Sequence, residues 1–347
     1  MNDESRKILA TDSILENLTK TVLYEGYSIF PYHRSAIKNQ KPIPFGVIYP
    51  GDYHACNQYA PSLMQTECIV TGKKDLSINI KVRFLHLIKT EIYHQDNKDE
   101  REKENTINEL SHEGWQTIER TITSGDWLIA NLLNSKQSFT IDFDSIEETK
   151  YSSNDSDLLT SKQINSVEKI NGAMTLEAFT IEDKPSVFRL RVTVINNSFM
   201  NDTEKISQYE AFRQSFISTN TILKVINGEF VSEQNPPENF KSLISKNKNI
   251  GTWPILIEES NTTMLSSPII LYDYPKINAQ SKLDMFDSLE IEEMLILHLS
   301  AMSEEEKNHL AKSDEKMKAM LEKARQVTPE ELLNLHGVMF ENENFKI

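Results

Sequence analysis

Metal binding and catalysis depend on side chains that carry lone pairs, thiolates and mobile protons, and their spacing in this chain favours neither. His86 and His94 share one face of a strand-like segment. Eight residues separate them, ~27 Å at the usual strand rise, too far to hold one ion. His298 lies on the apolar face of a helical pattern with Met302 at the i+4 position, and reads as a core histidine. His33 and His54 belong to a tyrosine-rich region and meet only if its loops bring them together. No HExxH spacing occurs. Cys56 and Cys68 stand twelve apart. Two thiols alone build neither a four-thiolate zinc site nor an iron–sulfur cluster. They read as ordinary reduced thiols, and no metal or cofactor is expected.

Nucleophile and nucleotide signatures are missing as well: the chain contains no G-x-S-x-G, no G-x-G-x-x-G and no G-x-x-x-x-G-K-S/T. Asp142 and Asp144 point to the same side of IDFDS, which suits calcium or a plain polar strand face. Asp273 sits between Tyr272 and Tyr274 at the end of SSPIILYDYP. It either caps loop amides at the end of a buried strand or joins the acidic helix start at Glu290, Glu292 and Glu293 in a polar site. An enzyme or a small-molecule or metal binder would use a cleft gathering Tyr27, His33 and Asp273.

Surfaces for another protein are easier to find. Tyr24, Tyr27 and Tyr32 stand beside Arg34, Lys38 and Lys41, a composition favoured at interfaces and equally that of an aromatic strand core with a basic loop. Tyr272, Asp273 and Tyr274 form a second candidate. The third is a narrow stripe of Leu310, Met317, Met320, Leu321 and Ala324 on a helical pattern over 303–326, which suits docking or a dimer seam.

The elements that must position these groups are mostly strands. Ile78, Ile80, Val82 and Phe84 alternate with Asn79, Lys81 and Arg83, the period of a half-buried antiparallel strand that runs on to about residue 92. Phe188, Leu190, Val192 and Val194 alternate with Arg189, Arg191 and Thr193 in the same way. TVLYEGYSIFPYH (21–33) and PFGVIYP (44–50) read as further strands after a short amphipathic helix carrying Ile14, Leu15 and Leu18. Residues 64–84 align without a gap on 174–194, which suggests two related β units. DNKDEREKE (96–104) reads as a solvated insertion. Past residue 281 the period becomes helical, with starts at Asp287, Ser303 and Thr328, the last followed by Pro329 at the first helical position. The expected architecture is α+β, mainly antiparallel and sandwich-like: a first β unit with the N-terminal helix over 1–150, a second over 151–280, and a C-terminal helical segment over 281–347.

Bulk properties set the outer bounds. The chain's 347 residues suffice for two domains or one large one. No apolar run approaches the ~20 residues of a membrane span, and MNDESRKILATDS has no secretory h-region, so a cytoplasmic protein is expected. The net charge of −15 is uneven: residues 1–95 carry 11 basic against 9 acidic side chains, the remainder 26 against 43. An acidic surface repels phosphate backbones, so nucleic acid is not an expected partner.

Several stretches together resemble a known group. YEGYSIFPYHRSAIKNQKPIPFGVIYP, QTECIV, VRFLHL, NGEFVS followed by a Pro pair, GTWPILI, TMLSSPIILYDYPKI, MFDSLEIEE and a final HG are similar to a family of uncharacterised proteins encoded beside uptake NiFe-hydrogenases and their maturation genes. The resemblance spans 8–95 and 222–340 and is poor between. It implies a non-catalytic accessory role in a hydrogenase system, by assembly, stabilisation or tethering, with hydrogenase subunits or maturation factors as partners. It supplies no catalytic residue. The rival expectations are the cleft near Tyr27, His33 and Asp273, and a structural homo-oligomer built through the helices.

Overall fold

The computed structural model describes residues 44–94, 116–153 and 159–275, helical residues between 15 and 23, and four positions between 304 and 326. One strand organises it. β1 (Leu63–His94) pairs antiparallel with four others: β7 (Lys184–Asn196) along 63–71, β2 (Gln116–Leu128) along 77–88, β5 (Leu159–Val167) along 89–94, and β8 (Ile217–Phe230) on its other side. Register with β8 breaks between Gly72 and Ser77. β6 (Ile170–Ile181) and β3 (Gln137–Phe143) extend the sheet beyond β7, and β10 (Thr263–Ser267) and β9 (Trp253–Leu256) extend it beyond β8. β4 (Ile146–Ser153) pairs with β5. The chain is thus mainly antiparallel β with few helices, and sandwich-like. The sheet is shared by the two expected β units, because β1 lies between β7 and β8.

Alternation explains the core. Ile78, Ile80, Val82 and Phe84 of β1 meet Phe188, Leu190, Val192 and Val194 of β7, Met174 and Leu176 of β6 and Leu223 of β8 in one cluster. Burying each large side chain contributes about 1.5–3 kcal/mol. Phe84 stacks on Phe216 with ring centres 4.6 Å apart and meets Phe143 edge-on at 6.3 Å, so one end of this core is aromatic.

The outer face of β1 departs from the sequence expectation. Arg83 is buried, hydrogen-bonded to Glu16 and Glu119 at 2.9 Å each. Leu85 and Leu87 enter a second cluster with Tyr49, Tyr53 and Phe212. Helical residues near the N-terminus cover the sheet further along, where Leu15, Leu18 and Val22 meet Ile222, Ile255 and Leu265. Val22 and Leu23 are helical where a strand was expected to begin, because the stripe continues one turn past Leu18. The expected strand 44–50 reduces to a single bridge, Ile48 to Phe216, between two prolines. The aligned stretches 64–84 and 174–194 also differ. The first lies within one strand, whereas the second is the β6–β7 hairpin, which turns at Glu182 and Asp183. The sequence-predicted helix starts at Asp287, Ser303 and Thr328 and the segment 96–104 lie outside the described residues.

Candidate functional site

Asp273 is committed to the edge of the sheet. Among the described residues β9 is the last strand on its side, and Leu256 turns its backbone away from β10. The Leu256 N–H donates to Asp273 Oδ1 at 2.8 Å, and the Leu256 carbonyl accepts from the Tyr274 N–H at 2.7 Å. Pro254, two residues earlier on the same side of the strand, has no N–H to offer. Between them these groups close an edge that would otherwise recruit another strand. Tyr274 holds a left-handed φ of 57° to make its bond, a conformation unusual for a bulky residue. The second Asp273 oxygen accepts from Ser232 Oγ at 2.5 Å, and the Asp273 N–H donates to Gln234 Oε1 at 3.2 Å. Tyr272 is 85% exposed and Ile270 67%.

Ser232 leads directly into the most perturbed carboxyl among the described residues. Glu233 is pushed up to about 8, chiefly by burial, against a hydrogen bond from Asn247 and the Arg189 charge, with Asp273 and Glu67 adding repulsion. Asn247 Nδ2 donates to it at 2.7 Å, and Arg189 Nε donates to Asn247 Oδ1 at 2.9 Å. Glu67 is buried in β1 and accepts from Arg191 Nε at 2.7 Å and from the Lys248 N–H at 2.9 Å. The segment 232–250, whose helix Glu238–Ile244 packs Phe240 and Leu243 onto Ile69, Val187 and Val231, is thereby stapled across β1 and β7. Burial pushes the neighbouring Cys68 thiol well up, and Glu233 and Glu67 push in the same direction. A Glu233 carboxyl that keeps its proton beside the Glu67–Arg191 pair is chemically an acid held ready at neutral pH. Every partner named here nevertheless joins two backbone segments.

A second polar group lies at the aromatic end of the core. His86 is fully buried; burial first, and the Arg120 charge second, lower it to about 4, so the ring is neutral at physiological pH. It contacts the Arg213 carbonyl through Nε2 at 3.2 Å. Arg213 ends the helix Gln208–Phe212 and pairs with Glu168. Both Arg213 and Glu168 line a groove of about 260 Å³ with Phe199, Met200, Ile206 and Glu210. Phe199 is 70% exposed at its rim.

Of the sequence-predicted site residues, Tyr272, Asp273 and Tyr274 are described and lie together at the β9 edge, whereas Tyr24, Tyr27, Tyr32, Arg34, Lys38, Leu310, Met317 and Leu321 lie outside the described residues, as do His33 and His298. Asp142 and Asp144 hold the Lys169 ammonium, at 3.4 and 2.8 Å, so a side-chain cation stands between the two carboxylates. His54 Nδ1 bonds the Ala60 carbonyl, Cys56 is exposed, and Cys68 is buried. Among the described residues no three His, Cys, Asp or Glu side chains group to hold a metal, and no helix is long and apolar enough to cross a membrane. Sequence reasoning passed over Glu67, Arg120, Glu168, Arg213 and Glu233. The one local signal was Glu67 itself, an acid inside the apolar run of β1. No family model matches the chain, and neither a curated protein nor a solved structure matches it.

Proposed function

We propose that this chain is a non-catalytic accessory protein that works by binding another protein, and that its partner is a component of a NiFe-hydrogenase system. The observation that supports binding is the β9 edge. Asp273 spends both carboxylate oxygens and its N–H on anchoring the segment 268–275, and that segment carries Ile270 and Tyr272 into solvent. Exposed apolar and aromatic side chains on an anchored backbone suit a protein interface, because ordering that backbone costs little further entropy on binding. The hydrogenase partner rests on the sequence resemblance alone. A catalytic cleft at Asp273 is the weaker reading, since the carboxylate has no oxygen left unbonded for a substrate.

The test is affinity purification of the tagged full chain from its native cell, in parallel with Ile270→Ser/Tyr272→Ser. Hydrogenase subunits or maturation factors recovered with the wild type and lost with the double variant support the reading. Recovery of the same proteins with both chains removes the β9 edge from it, and a chain that elutes alone removes the partner.

A further inference from the structure

Two edges of the sheet are treated differently. Asp273 and Pro254 seal β9, whereas among the described residues nothing comparable closes β4, which pairs with β5 alone. The β4–β5 register runs without a break from Ile146 to Ser152, so that stretch has no bulge, and IEETKYSS contains no proline. Residues 146–151 are exposed on both faces. An unbroken edge of this kind offers its outer N–H and carbonyl groups to another strand.

The charges on β4 select which strand. Glu148 and Lys150 lie on one face, 3.4 Å apart. Glu147, Thr149 and Tyr151 alternate with them and lie on the other. A two-fold axis perpendicular to the sheet keeps every side chain on its own face. Two copies of β4 can therefore meet antiparallel only about a residue, never about a peptide bond. Centring on Glu147 or Glu148 sets two carboxylates directly opposite each other, and centring on Lys150 sets two ammonium groups opposite, both destabilising. Centring on Tyr151 sets Lys150 opposite Ser152 and leaves Glu148 beyond the overlap. Centring on Thr149 sets Glu148 opposite Lys150 twice over, Thr149 opposite itself and Glu147 opposite Tyr151. Opposed charges and opposed threonines are both favourable across antiparallel strands.

We propose that β4 is a self-association edge, to which a second copy of this chain adds its own β4 antiparallel about Thr149, continuing the sheet across a two-fold axis. Each Lys150 then lies between its own Glu148 and that of the second copy. The net charge of −15 repels a second copy at long range, but salt screens that repulsion beyond about 8 Å. This interface lies on a different edge from the segment 268–275 and is independent of the partner proposed above.

Sedimentation velocity of the full chain across a dilution series reads the monomer–dimer equilibrium. The wild type should associate. Lys150→Glu and Glu148→Lys each replace both opposed pairs by like charges, and each should weaken association about tenfold or more. An equimolar mixture of these two variants restores both Glu–Lys pairs between unlike chains and should recover wild-type association. The double variant Glu148→Lys/Lys150→Glu should recover it alone. Both rescues require the Thr149 register. Ile270→Ser/Tyr272→Ser should associate as the wild type does. The proposal is overturned by a wild type that stays monomeric up to about 100 μM, by dimers that tolerate either single charge variant, or by a mixture that stays monomeric. Dimers lost in the Ile270/Tyr272 variant would overturn it too, by placing the contact at the β9 edge.

Discussion

Replacing Glu233 by Gln should remove most of the pH dependence of stability between pH 6.5 and 8. The carboxyl ionises near 8 in the folded chain against an ordinary 4.5. Between those values the unfolded chain has released the proton and the folded chain still holds it, so stability falls as pH rises. The contribution is complete below about 4.5, is lost progressively through about 8, and is flat above. Its full span is about 5 kcal/mol at 1.36 kcal/mol per pH unit, an upper value because the segment 232–250 can relax to admit water. His86 acts in the opposite sense below its ordinary 6.5, where only the unfolded chain takes up the proton. The window from 6.5 to 8 therefore isolates Glu233, and the slope there amounts to about 2 kcal/mol. Gln keeps an oxygen for Asn247 and cannot ionise. The assay is urea unfolding of both full chains at half-unit steps from pH 6 to 9, taking the difference between them so that shared titrations cancel. The wild type should lose about 2 kcal/mol relative to the variant across the window. Parallel profiles would refute the burial argument, and a variant less stable at every pH would mean that the carboxylate holds the segment in its charged form.

On the acid side, His86 refuses a proton that the unfolded chain accepts, so its contribution falls as pH drops from 6.5 towards 4 and offsets the gain from Glu233 down to about 4.5. His86→Gln, which retains a donor for the Arg213 carbonyl, should therefore gain stability relative to the wild type as pH falls through that range in urea titrations. Asp273→Ala should cost about 1–3 kcal/mol by leaving the Leu256 N–H and Ser232 without an acceptor, and should open the 268–275 segment to limited proteolysis before global unfolding. An aromatic disulfide reagent should label exposed Cys56 rapidly in the native chain, while buried Cys68, its thiol pushed well up, reacts only at the rate of unfolding. Two equally fast thiols would place Cys68 outside the core.

What could be read in the sequence was whatever depends on near neighbours. The alternation from Phe188 to Val194 needs only the pleat, and those side chains are inward as the period requires. The same rule fails on β1 at Arg83, Leu85 and Leu87, because it assumes water on the second face. That face is covered by Glu16 and by Tyr49, Tyr53 and Phe212, residues from segments that periodicity in β1 cannot anticipate. The candidate sites lie further still from local rules. Asp142 and Asp144 find Lys169 across a hairpin and its partner, Glu67 finds Arg191 at a separation of 124 residues, and His86 finds Arg213 at 127. Asp273 is the instructive intermediate. Its place at the end of a strand-like run marks it as a cap, but what it caps is the free edge of β9, and only the order of strands in the sheet makes β9 an edge. A carboxylate used to seal an edge does two things at once: it denies the strand to other chains, and it anchors the backbone of the segment that carries Tyr272 and Ile270. Asp273→Asn should therefore weaken partner binding while leaving those two side chains unaltered in sequence. The binding defect would then report the loss of a fixed surface, with no contact residue removed.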